Sequence, residues 1–132
     1  DSMLSFDGNT APYLQYAYTR IQSIFRRAAQ SAPGATPGPI EITTAAERRL
    51  ALALLGFGEV LNQVAAEAYP HVLCNYLYEL ASTFTSFYEQ YPILKPEVAP
   101  ELRASRLALC QLGARTLATG LDLLGIEVMA EM

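Results

Sequence analysis

The sequence predicts an all-α fold, a helical bundle of about five helices. Apolar residues recur at spacings of three and four along most of the 132-residue chain, the period of a helix with one buried face. Helix-start signals (Ser/Thr caps, prolines in first turns) precede these stretches, and no stretch alternates apolar with polar as a half-buried strand does. With 52% hydrophobic residues, the chain can build its own core, and its length suits one domain, 1–132.

The first helix is expected from Ala11 to Ala29. Thr10 suits the N-cap and Pro12 the first turn. Leu14, Ala17, Ile21, Ile24, Phe25 and Ala28 fall within about 100° of a helical wheel and form the buried stripe. Tyr13, Tyr16, Arg20 and Arg27 form an adjacent stripe about 60° wide, at the border of core and solvent. Gln30–Ile40 holds three prolines and two glycines and is expected to be a mobile loop.

Thr44-Ala45-Ala46-Glu47 is a capping-box pattern that starts a second helix through Leu50, Leu52, Leu54 and Leu55. Gly56 and Gly58 are expected to break it, with a third helix from about Glu59 to Ala68. Pro70 opens a fourth, ending near Tyr88 or Glu89, with Leu73, Leu77, Leu80, Phe84 and Phe87 as its apolar face. The fifth is expected from Glu101 to Thr119, carrying Leu102, Leu109, Leu112 and Leu117. Gly120 and Gly125 then bracket a short turn at Leu121–Leu124.

Composition narrows the function. Nine basic against 13 acidic residues give a net charge of −4, which argues against nonspecific nucleic-acid binding but not against a local contact. The positive charge is almost all arginine, with Lys95 the single lysine. Arginine offers a planar fork for phosphate and a flat face for bases. Cys74 and Cys110 have no metal or disulfide spacing and suit reduced core thiols. His71 is the only histidine, and no catalytic constellation, phosphate loop or metal cluster stands out, so a stand-alone enzyme is not expected. No secretory leader is visible, and the longest apolar run, Leu50–Phe57, is too short to span a membrane.

The unusual feature is aromatic. Eight tyrosines occur without a tryptophan, and Tyr13, Tyr16 and Arg20 share one stripe. Two aromatic faces and a guanidinium in a row suit unstacked RNA bases. The same stripe could instead meet a partner protein, and the acidic composition taken alone favours such a helical protein-interaction domain.

The segments Met3–Arg20, Pro70–Ala81 with Phe84–Tyr88, Arg106–Cys110 and Gly120–Ile126 resemble, in order, the C-terminal anticodon-binding (DALR-type) domain of arginyl-tRNA synthetases. The resemblance implies an all-helical domain that grips the anticodon stem-loop of the tRNA for arginine. It implies RNA contact by Tyr13, Tyr16, Arg20 and Tyr88, and by the chain end at Met132. It also implies a cytoplasmic parent ligase that uses ATP, with magnesium, to attach arginine. That parent's catalytic domain would be this domain's partner within one chain. The catalytic HIGH and KMSKS-type signatures do not occur here, so this segment should be inactive alone and hold no cofactor. Two departures stand out: Glu131 occupies a position where many members have arginine, and Arg103-Ala104-Ser105-Arg106 stands for the Asp-Ala-Leu-Arg tetrapeptide.

Overall fold

The computed structural model describes residues 11–67 and 70–128. Five helices follow one another: α1 (Ala11–Ser31), α2 (Ala45–Leu55), α3 (Phe57–Glu67), α4 (Pro70–Gln90) and α5 (Pro100–Leu123). There is no strand among the described residues. α4 is the central post and packs against each of the other four.

The expected faces meet in one core. Leu14, Ile21 and Ile24 of α1 join Leu50 of α2, Leu73, Leu77, Leu80, Phe84 and Phe87 of α4, and Leu107, Leu109, Leu117 and Leu121 of α5. Phe25 is only half-buried, and Leu112 of α5 lies exposed rather than in the core. Both cysteines are free and buried, and burial pushes the Cys110 thiol up to about 12 because the thiolate would be stranded among apolar atoms.

The capping box of α2 forms as its residues dictate. Thr44 Oγ1 accepts from the Glu47 amide, while Glu47 Oε1 accepts from the Thr44 amide and from the Thr43 amide and hydroxyl. The other carboxylate oxygen, Oε2, accepts from Arg106 Nε of α5 at 2.9 Å. Burial alone would raise the Glu47 pKa. The bonds from Thr43, together with the bond and charge of Arg106, outweigh it and hold the carboxyl below its ordinary 4.5.

Three helix boundaries are corrected. The first helix runs past Ala29 to Ser31, and the irregular chain after it is fastened to α5. The Gly38 amide donates to the Ala104 carbonyl, and Ser105 Oγ both accepts from the Glu41 amide and donates to the Glu41 carbonyl. Gly38 suits this close approach, since a Cβ there would sit tightly, at 3.0 Å, against that of Ala104.

Gly58 does not break a helix. The break falls at Gly56 alone, and α3 starts at Phe57. The hydrogen-bond ladder runs through Gly56, from its own amide to Leu52 and from the Val60 amide back to it.

Among the described residues, Ala45–Glu67 taken as one stretch is long and apolar enough, by length and composition alone, to cross a membrane. Part of it packs on α4.

Gly120 does not end the fifth helix, which runs on to Leu123. A Cβ at Gly120 would lie 2.6 Å from Leu77 Cδ1, so this glycine lets α5 close onto α4. The helix ends instead in a Schellman turn. Gly125, at φ 78°, donates to Asp122, and the Ile126 amide donates to Leu121. The turn sends the chain back to α1, where Gln15 Nε2 donates to the Glu127 carbonyl at 2.9 Å.

Candidate nucleic-acid interface

α1 carries Arg20, Arg26 and Arg27 and no acidic residue, so one helix of an acidic chain is locally positive. Its buried stripe locks it against α4 and α5, which fixes the neighbouring stripe in place. Across from that stripe stands Tyr88 of α4. Its ring stacks on Phe84 at 6.2 Å between centroids and 6° between planes, and Phe84 is a core residue.

Arg20 is the centre of the arrangement. Its guanidinium carbon lies 5.6 Å from the Tyr16 centroid and 5.9 Å from the Tyr88 centroid. Each such contact is worth about 0.5–1 kcal/mol at an exposed site. One turn further on but one, Arg27 Nη2 donates to the Tyr88 hydroxyl at 2.7 Å. Tyr16 is 54% exposed, so its ring is open to a ligand while Arg20 holds one side of the site.

Tyr13 stands apart from this group. It is half-buried and lies 5.0 Å from Tyr78 of α4, with the rings tilted by 37°. The wheel accounts for the difference, because Tyr13 borders the core edge of the stripe and Tyr16 its solvent edge. The structure thus brings Tyr16, Arg20 and Tyr88 together and sets Tyr13 beside them in a second aromatic pair. Met132 lies outside the described residues.

Arg27, which the wheel puts on the same stripe as Arg20, joins this surface through the Tyr88 hydroxyl. Tyr78 was not singled out from sequence, and no pattern there pairs it with Tyr13.

In the tetrapeptide Arg103-Ala104-Ser105-Arg106, Ser105 and Arg106 are buried while Arg103 and Ala104 are half-buried. Arg103 Nε and Nη2 donate to the carbonyls of Ile93 and Lys95. Ala104 and Ser105 hold the α1–α2 loop, and Arg106 reaches Glu47, the Pro92 carbonyl at 2.8 Å and the Tyr91 ring at 5.3 Å. Its job is joining α2, α5 and the α4–α5 loop. Among the described residues, no group of three or more His, Cys, Asp or Glu is placed to hold a metal ion.

Known proteins share this architecture. The chain is 61% identical over all 132 residues to the arginine–tRNA ligase of Cellvibrio japonicus and 58% identical to that of Pseudoalteromonas translucida. It spans 23% of the length of each. Among solved structures it matches arginyl-tRNA synthetase of Thermus thermophilus with a TM-score of 0.81 at 42% identity, covering 98% of this chain and 22% of that one. The synthetase of Plasmodium falciparum matches at 0.75 and 31%, covering all of this chain and 23% of that one. The profile of the DALR anticodon binding domain matches residues 14–132, and the chain belongs to that family.

Proposed function

We propose that this chain recognises the anticodon stem-loop of a tRNA for arginine, as the anticodon-binding part of an arginine–tRNA ligase. The observation that carries this reading is Arg20 held between Tyr16 and Tyr88 on an acid-free helix. Unpaired bases stack on exposed tyrosine faces, and a fixed guanidinium serves both a base plane and a phosphate. The remainder of the ligase would bind ATP with magnesium and arginine and perform the transfer. In this reading the anticodon-binding part holds no cofactor of its own, and the ligase works in the cytoplasm.

The test is titration of the chain with the cognate anticodon stem-loop. Binding should be salt-sensitive, because a few arginines meet a few phosphates. Tyr16→Ala combined with Tyr88→Ala should abolish it. Undiminished affinity in that double variant would overturn the stacking role, and binding to a partner protein instead of RNA would overturn the function.

A further inference from the structure

Beyond Tyr88 the surface opens into a groove of about 840 Å³. The C-terminal end of α1 forms one wall, with Arg27, Gln30 and Ser31, while Tyr88 and Glu89 of α4 and the loop Pro92–Pro96 form the other. Leu94, Pro92 and Pro96 give it an apolar side, and Arg27 and Lys95 give it positive charge against the one acid, Glu89. Such a mixture suits a nucleotide, whose base is flat and apolar on its faces and whose phosphate is anionic.

The groove is physically continuous with the aromatic site. Arg27 lines it and also bonds the Tyr88 hydroxyl. Tyr88 lines it and also faces Arg20. A strand that stacks at Tyr16 and passes Tyr88 therefore meets the groove next. Its loop wall is held from behind, because Arg103 of α5 donates to the carbonyls of Ile93 and Lys95.

We propose that this groove is a second subsite, which takes one further nucleotide of the bound RNA strand with its base against Leu94 and the loop prolines and its phosphate at Arg27 and Lys95. The inference rests on the reading of the Tyr16, Arg20 and Tyr88 cluster as an RNA contact.

Two measurements test it with the anticodon stem-loop as the probe. Lys95→Gln keeps the backbone carbonyl that Arg103 uses. It should bind about threefold more weakly and lower the salt slope by about 0.7, the share of one single-strand phosphate. Arg49→Gln, the same charge change on α2 outside the groove, should leave the slope alone. Lys95→Cys carrying a photo-cross-linker, with Cys74 and Cys110 shielded by burial, should mark one loop nucleotide. Equal effects of the two charge variants, or cross-links confined to the stem, would empty the groove while Tyr16→Ala still weakened binding. Binding indifferent to Tyr16→Ala as well would sink the RNA reading and the subsite with it.

Discussion

Arg106 and Glu47 form an ion pair at 2.9 Å, 59 residues apart in sequence, with side chains 7% and 0% exposed. Glu47 is at once the N3 residue of a capping box and the anion for α5. Arg106→Ala leaves that carboxylate buried without its cation and should cost about 3–5 kcal/mol, measured by urea unfolding. Arg106→Lys should restore little of it, because a lysine cannot serve Glu47, the Pro92 carbonyl and the Tyr91 face together. Wild-type stability in the lysine variant would refute this account of the joint.

The same pair sets an acid limit. The Glu47 carboxyl is held below 4.5 when folded, so unfolding takes up a proton as pH falls below that value. The stabilisation is complete above 4.5 and disappears as pH drops through the lower folded value. Glu47→Gln should be less stable at neutral pH, and its deficit should shrink in acid. A deficit that stayed constant from pH 7 to pH 3 would contradict the ionised pair.

Two glycines of α5 should answer oppositely to alanine. At Gly120 the new methyl would press on Leu77 at 2.6–2.7 Å, and overpacking of this kind costs about 1–3 kcal/mol. At Gly113 it would find ordinary contacts, 3.7 Å to Ile21 and 3.9 Å to Phe84. Gly113→Ala should then gain up to about 1 kcal/mol from helix propensity. Thermal melts of the two variants decide it.

Tyr16 and Tyr13 should separate in RNA binding. Tyr16→Ala removes an exposed ring beside Arg20 and should weaken the stem-loop complex by about 1–3 kcal/mol. Tyr13→Ala should cost less affinity and more stability, since that ring packs on Tyr78. Arg20→Lys should bind more weakly than charge alone predicts, because the flat surface between Tyr16 and Tyr88 is gone. Calorimetric titration of the three variants gives the order.

Cys110, with its thiol at about 12, and Cys74, raised by burial, should resist alkylation at pH 8 in the folded protein. Both should react once urea unfolds it. Rapid labelling of the native chain, followed by mass spectrometry, would show that the core opens.

Much of this molecule was written in short-range patterns. The stripes of α1 and α4 and the Thr44–Glu47 box depend on residues three or four apart, so local sequence determines them. The helix ends were less legible. Gly120 looks like a breaker in one dimension and is a contact with Leu77 in three. The loop after α1 reads as slack because nothing nearby tells that Ser105 and Ala104, more than sixty residues on, receive it. Tyr16 and Arg20 are visible on a wheel. Their closure by Tyr88, 68 residues beyond Arg20 in sequence, is a tertiary fact.

The way Arg20 is held has a thermodynamic consequence. Its guanidinium already rests between two rings, one of which Arg27 and Phe84 hold from other sides. Part of the rotational freedom that a bare surface arginine would surrender on meeting a ligand is already lost when the chain folds. Association should therefore carry a small ordering penalty on the protein side, and most of the adjustment should fall to the nucleic acid, whose loop must unstack to match a rigid template.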